Sequence, residues 1–521
     1  MQLFQKKVVP RRPEVYHPEV LLATADDLGI SVTKVCLILS QSTQRSILYE
    51  LLPLLEVVIS KTCSCSNVRG FAFAACSNFH FSLAFQTTSS SIQHCYVAMF
   101  RTGMLLAVMA TVIAILHATP STAAPAVDDP AASAAQFSST IVLFQGNHQE
   151  GLNGITYHTF RIPAIVRTNA GTLLAFAEGR ASSDKDFGNT NTLYKRGVND
   201  GATSADWSSL KQAAGIGEGT FGNPTPVVDR STGTIWLFMS WNAANMSQNG
   251  GANPDTGAPT TPITHWGERR VFVMKSTDDG QTFTGIDGSS SPTDMTDTLL
   301  PKTIDNGSEW AWDAMGPGAG IYTSDGTLVI PAQFRNIYST DHGATWHVQK
   351  ISESTSEATI TQLGDGTLYR NDRPTTASWN LAGRRWVSRG SISSGFSAFS
   401  PDDKLLDPKN EASVLQYNNA EPDAPQRTIF LNSASTITRT KMRVRISYDN
   451  AQTWAISRPL SDLVLPSGAG TEGGYSSMTK TADFKVGAMV ETNSDVSDPA
   501  SPKSILFHKF NLSWILHGCA C

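Results

Sequence analysis

From residue 140 onward the chain consists of short apolar runs, each broken within a few residues by Gly, Asn, Asp, Ser or Pro. The runs at 140–144, 172–176, 234–239, 270–274, 327–334, 428–431 and 504–510 have the length and the β-branched and aromatic content of strands. No part of this body sustains a long 3.6-residue period, so nothing competes with a strand reading. The pattern predicts an all-β body.

Two short motifs recur along it. Gly-Thr leads into an apolar strand at Gly171, Gly233, Gly326 and Gly366. Ser-x-Asp-x-Gly-x-Thr-aromatic appears at Ser276–Phe283 and Ser339–Trp346, and a copy at Ser447–Trp454 carries Ala451 in place of Gly. A degraded copy runs through Gly197–Thr203 and a weaker one through 378–386. The chemistry is that of a hairpin turn: the Asp carboxylate accepts loop N–H groups, Gly takes a positive φ, and the aromatic anchors the turn on its sheet. These Asp residues are therefore read as structural. A hairpin pair is too small to be stable alone, so repetition implies stacked sheets, and strand-rich repeats with inserts of variable length predict a propeller of four-stranded antiparallel blades.

Composition sharpens the boundaries. The 521 residues carry a net charge of −5 with 16% charged and 40% hydrophobic residues, which excludes a basic nucleic-acid binder, a multi-span membrane protein and a disordered chain. All seven Cys lie at 36–95 or at Cys519 and Cys521, whereas all eleven Trp lie between Trp207 and Trp514. Residues 1–98 show no clear period and are read as a non-native or disordered extension. From Met99 the text changes: Arg101, an apolar run at 104–116, then small residues and Pro ending in Ala124-Pro-Ala126. That is the order of a secretory signal peptide, assigned to 99–126, and the run is shorter than the ~20 residues of a spanning helix. The expectation is a secreted, extracellular body at 127–517 with a short tail at 518–521 and no membrane association after signal removal. Asn245, Asn306 and Asn511 head glycosylation acceptor patterns.

The repeated turn resembles the Asp box of the sialidase superfamily, and Phe160-Arg161-Ile162-Pro163 resembles that family's Phe/Tyr-Arg-Ile-Pro signature. The likeness covers about residues 140–515 and is closest in appearance to secreted fungal members, some of which prefer Kdn, the deaminated sialic acid. It implies a six-bladed propeller in which 138–144 and 504–510 share the closing blade. It also implies an exo-α-sialidase that releases terminal sialic acid (Neu5Ac, Kdn or both) from glycoconjugates with retention, through a covalent tyrosyl intermediate. No cofactor or metal is implied.

The residue types fit that chemistry. A sialoside carries a carboxylate on its anomeric carbon, and Arg binds it bidentately. The resemblance assigns this to Arg161, Arg373 and Arg439, with Arg370 the neighbour that competes with Arg373. An anionic nucleophile would be repelled by the substrate, so a neutral Tyr with a Glu base is better suited; Tyr475 and Glu357 match. The acid/base matches Asp186, with Asp184 as its rival, and burial under substrate is expected to raise its pKa. Arg180 is assigned to the ring near its 4-hydroxyl, and Asn189 stands where many members carry another acid. Residues 461–472 read as an extra loop, and Trp310 and Trp312 serve either an aglycone or the core. A non-catalytic Asp-box propeller and a trans-sialidase are the competing readings.

Overall fold

The computed structural model describes residues 129–215, 219–375, 383–417, 425–493 and 501–520. The readings of 1–98 and 99–126, and most of the weak motif at 378–386, lie outside these residues. Within them the regular structure is nearly all strand, with two short α-helices and four 3-10 turns. Each predicted run forms a strand. The run at 327–334 splits, however: Leu328–Ala332 turns back through a tight hairpin in which Phe334 takes φ +57, and Arg335–Ser339 returns beside it.

The strands fall into meandering antiparallel sheets. Ser138–Phe144 pairs with Lys503–Phe510, which continues to Val486–Asn493 and Thr471–Lys480, so the two ends of the body share one sheet. Thr159–Arg167, Leu173–Arg180, Thr190–Gly197 and Lys211–Ala214 form the next meander. A single parallel contact, Thr190 with Thr220, joins it to Thr220–Val228, Ile235–Asn242, Arg269–Ser276 and Thr293–Asp294. Three further sheets begin at Ile321–Tyr322, Thr355–Gln362 and Ser413–Gln416. After the helix Leu512–Leu516, Cys519–Ala520 pairs with Ile456–Pro459.

Burial follows position in the sheet. Thr159–Arg167, Leu173–Arg180 and Thr220–Val228 are buried along almost their whole length, whereas His347–Lys350 and Ser400–Leu406 are mostly open or half-open to solvent. A strand covered on both faces reads as a continuous apolar run, an outer one as an alternating one. The innermost strands lie side by side in order: Thr159–Arg167, Thr220–Val228, Ile321–Tyr322, Thr355–Gln362, Ser413–Gln416, Thr471–Lys480 and back to Thr159–Arg167. They surround a cavity of about 290 Å³ to which Ile165, Val228, Ile321, Thr361, Ser413 and Met478 contribute.

The repeated turns have one geometry. Asp278, Asp341 and Asp449 accept the hydroxyl of Ser276, Ser339 and Ser447 at 2.7, 2.7 and 2.8 Å. Their other oxygen accepts the hydroxyl of Thr282, Thr345 and Thr453, each at 2.6 Å. Phe283 then packs on Phe176 and Tyr194, Trp346 on Trp236 and Phe238, and Trp454 on Phe430. The degraded copy differs. Asp200 accepts the N–H groups of Ala482 and Asp483 instead, and Asp206 closes the turn onto Thr203. Asn511, one of the acceptor patterns, caps the final helix and donates to the Ala135 carbonyl at 2.8 Å, so its amide is already engaged.

Candidate active site

The site is built where the inner strands lose their regular ladder. In Thr159–Arg167 the pairing slips between Arg161 and Ala164, and Pro163 has no N–H to offer. Ile162 takes φ +57, a costly conformation for a β-branched residue. Its N–H is turned to Glu491 Oε1 at 2.9 Å. The same carboxylate receives Arg161 Nε at 3.1 Å and Nη2 at 3.4 Å. Glu491 is 1% exposed, and although burial raises its pKa, Arg161 and the N–H donors Ile162 and Tyr475 hold it below the ordinary value. A bulge, a proline and a buried acid thus aim one arginine.

Glu178 and Arg180 share a face of Leu173–Arg180, two residues apart. Arg180 donates Nε and Nη2 to Glu178 Oε2 at 3.0 and 2.6 Å, while Glu178 Oε1 accepts Asn223 N–H from the neighbouring sheet at 2.8 Å. Beyond Arg180 the loop brings Asp186 back: its Oδ1 lies 3.0 Å from Arg161 Nη1 and 2.9 Å from Arg180 Nη2. The carboxylate has 72% of its side chain open. Enclosure by protein works to raise its pKa, but Arg180 and Arg161 outweigh it and hold the carboxyl well below the usual range. Its rival Asp184 turns away to Lys503 Nζ at 3.0 Å.

On the other side of Arg161, Tyr475 interrupts Thr471–Lys480, whose pairing breaks between Glu472 and Ser476. Gly474 takes φ +134, and a Cβ there would lie 2.2 Å from Glu491, so the bend that places the tyrosine requires glycine. The Tyr475 hydroxyl lies 2.5 and 2.6 Å from the two oxygens of Glu357 and 2.7 Å from Arg373 Nη1. Arg373 Nη1 also reaches Glu357 Oε2 at 2.5 Å. The guanidinium groups of Arg161 and Arg439 stack on the tyrosine ring at 5.1 and 5.2 Å. Burial first, then Glu357, pushes the phenol well above its ordinary pKa, while Arg373, Arg439 and Arg161 pull it down. A neutral phenol, a carboxylate in contact with its proton, and three guanidinium groups around it form one unit.

Seven of the eight residues read from the sequence therefore converge: Arg161, Arg180, Asp186, Glu357, Arg373, Arg439 and Tyr475. Asn189 does not join their contacts; its N–H goes to Asp255 Oδ2 at 2.6 Å and its carbonyl side to Asn191. Arg370 is fully buried on Asp372 at 2.6 Å, which leaves Arg373 as the arginine of the site. Trp310 is 2% exposed beneath the Arg335 guanidinium and belongs to the core, whereas half-buried Trp312 lies under Arg269 at 4.6 Å. Glu491 and Glu178 escaped the sequence reading. Each is an acid inside an apolar strand, Leu173–Arg180 or Val486–Asn493, and that mismatch was the signal. Arg269 escaped too. It donates to Asn223 at 2.8 Å and to the Asp313 carbonyl at 3.2 Å, and burial lowers its pKa to about 10.

Comparison with known proteins accords with this geometry. Residues 171–489 match the BNR repeat-like domain. The chain is 48% identical over 409 residues to an exo-alpha-sialidase of Aspergillus fumigatus, covering 75% of this chain and 95% of that one. An exo-alpha-sialidase of Arthroderma benhamiae is 46% identical over 426 residues, covering 79% and 98%. In fold, the chain is similar to the Hadza microbial sialidase Hz136, with a TM-score of 0.55 at 23% identity over 72% of this chain and 69% of that one. A repeat family spanning more than half the chain, and relatives near half-identical along almost their whole length, leave one conclusion: this chain belongs to the sialidase superfamily.

Proposed function

We propose that the protein is a retaining exo-α-sialidase that releases terminal sialic acid, Neu5Ac or Kdn, from glycoconjugates through a tyrosyl intermediate. The observation that carries this reading is the Tyr475 hydroxyl held 2.5–2.6 Å from Glu357 and 2.7 Å from Arg373. The substrate carboxylate takes Arg161, Arg373 and Arg439. As it takes Arg161 Nη1 it displaces Asp186 from its ion pair, and the carboxyl, now covered by the sugar, picks up a proton. Asp186 then protonates the leaving oxygen while Glu357 removes the Tyr475 proton, and the phenolate oxygen bonds to the anomeric carbon. Arg373 stabilises the charge that develops on both oxygens. In the second half Asp186 draws a proton from water, water attacks the anomeric carbon, and Glu357 returns its proton to Tyr475. Asp186 and Tyr475 act from opposite sides of the sugar, which gives net retention. The arrangement of sheets is proposed to be six blades in a ring, supported by the closed order of inner strands around the 290 Å³ cavity. Secretion follows from the leader-like segment at 99–126.

Paired fluorogenic Neu5Ac and Kdn substrates test the reading and settle the sugar, and NMR should detect the α-anomer first. Tyr475→Phe should lose at least about 10³-fold in kcat. It should fold normally, because Glu357 keeps Arg373 and no charge is left unpaired. Turnover of neither sugar, or a first-formed β-anomer, overturns the proposal.

A further inference from the structure

A short buried segment beside the nucleophile has no part in the roles assigned so far. Residues 407–411 link Ser400–Leu406 to Ser413–Gln416, and Asp407, Asn410 and Glu411 are exposed by 0, 0 and 1%. Two of these side chains leave their own segment and reach the broken stretch of Thr471–Lys480. Asn410 Nδ2 donates to the Gly474 carbonyl, and Glu411 Oε2 accepts the Ser476 N–H at 3.1 Å. Between them the Tyr475 N–H goes to Glu491 Oε2 at 3.1 Å. Side chains thus replace ladder bonds on both sides of the tyrosine. The preceding Lys409 carbonyl accepts Arg439 Nη2 at 3.2 Å, so one tripeptide touches both a carboxylate-binding arginine and the backbone of the nucleophile.

The segment is itself braced. Fully buried Arg385 bridges Asp407 Oδ2 at 3.1 Å and the Asn410 carbonyl, and it anchors on Asn371 Oδ1 at 2.7 Å. Asp407 Oδ1 takes the Asn410 N–H at 2.9 Å. Burying this many polar and ionised groups costs several kcal/mol that an apolar turn would avoid, so stability alone is a poor account of it. Glu411 is also the group on which burial acts most plainly. Its pKa is raised well above the ordinary value by burial, with Glu357 and Glu491 adding to the rise and Arg385 opposing it. Its Oε2 accepts the Ser476 N–H whichever protonation state the carboxyl holds.

We propose that Asn410 and Glu411 are positioning residues of the hydrolase, holding the Gly474–Ser476 backbone so that the Tyr475 hydroxyl stays between Glu357 and the anomeric carbon. The proposal rests on the sialidase reading. Its test compares wild type with Asn410→Ala, Glu411→Ala and Glu411→Gln in the full chain. The measurements are kcat and KM on a fluorogenic sialoside, affinity for a 2,3-unsaturated sialic acid analogue, and melting temperature. Asn410→Ala and Glu411→Ala should lose about 10- to 100-fold in kcat. Their KM and analogue affinity should stay within about threefold, because the arginines that grip the carboxylate remain. Glu411→Gln should recover kcat to within about threefold, since a carboxamide oxygen accepts the Ser476 N–H as the carboxyl oxygen does. The proposal falls if Asn410→Ala and Glu411→Ala keep kcat within about twofold, or if Glu411→Gln is as impaired as Glu411→Ala. It falls equally if kcat and affinity decline together in step with melting temperature. If Glu411→Ala does not fold, the Asn410→Ala split and the Gln variant decide. A wild type without sialoside turnover overturns the hydrolase reading and this proposal with it, whereas an active wild type with unimpaired variants overturns this proposal alone.

Discussion

The proposed mechanism uses Asp186 as an acid, yet Arg180 and Arg161 hold its carboxyl well below the ordinary range in the ligand-free protein. At working pH it is therefore ionised. On the proposed reading it becomes a proton donor only when a substrate carboxylate takes Arg161 and the sugar covers it, both of which raise its pKa. Binding must then take up a proton. Uptake is largest between the free and bound pKa values and vanishes above both. Calorimetric titration of an unsaturated sialic acid analogue near pH 5, in two buffers of different ionisation enthalpy, should show up to about one proton taken up. Asp186→Asn should abolish the uptake, and a buffer-independent enthalpy for wild type would exclude this role. The residues around Asp186 differed in how visible they were. Arg161 and Tyr475 could be read because local motifs surround them. Glu491 could not, because its burial depends on the bulge at Ile162 and the break at Gly474, which bring two distant strands onto one carboxylate.

The Asp-box turn is the element whose geometry the chain text conveyed most fully, down to the aromatic that closes it. The copy that carries Ala451 is informative. Ala451 takes φ +59, where the other copies place Gly280 and Gly343 at φ +73 and +85, and Ser447 Oγ still accepts its N–H at 2.9 Å. An L-residue in this region costs roughly 1–2 kcal/mol. The buried methyl, packed with Phe430 and Trp454, returns at most about 0.8 kcal/mol. Ala451→Gly should thus stabilise by about 0.5 kcal/mol, read as a raised urea midpoint with unchanged slope. The reverse change belongs to a tighter place: a Cβ on Gly343 would lie 2.2 Å from the Trp236 ring. Gly343→Ala should therefore cost at least about 2 kcal/mol, since the ring must move as well. What the motif could not reveal was the exchange at 199–206, where Asp206 takes over the turn and Asp200 is released to bind the 482–483 backbone. A carboxylate's partner is set by which sheet stacks against it, and no local pattern encodes that.

At the scale of the whole molecule the ends of the body meet. Ser138–Phe144 joins the sheet of Lys503–Phe510, and ahead of it Asp129 caps the turn Pro130–Ser133. The Asp129 carboxylate receives Arg427 Nε and Nη2 at 2.7 and 2.6 Å and the Tyr448 hydroxyl at 2.9 Å, with both charged side chains 1% exposed. This contact pins the first described residue to a sheet nearly 300 positions away. Sequence alone gave the closing strand pair through resemblance, but an Asp next to a leader-like segment carried no mark of burial. Asp129→Asn leaves Arg427 buried without a counter-charge, which should cost about 3 kcal/mol at neutral pH and several degrees in melting temperature. The pH dependence gives the sharper check. Burial raises the Asp129 pKa, but Arg427, the Ala131 N–H and Tyr448 bring it below the ordinary value. A carboxylate depressed on folding contributes stability that is complete above its unfolded pKa of about 3.9 and is lost as pH falls through the lower folded value. The melting-temperature gap between wild type and Asp129→Asn should therefore be constant from about pH 7 down to about pH 5 and shrink below about pH 4. A gap that stays constant into acid would mean that the contact stabilises by packing rather than by charge.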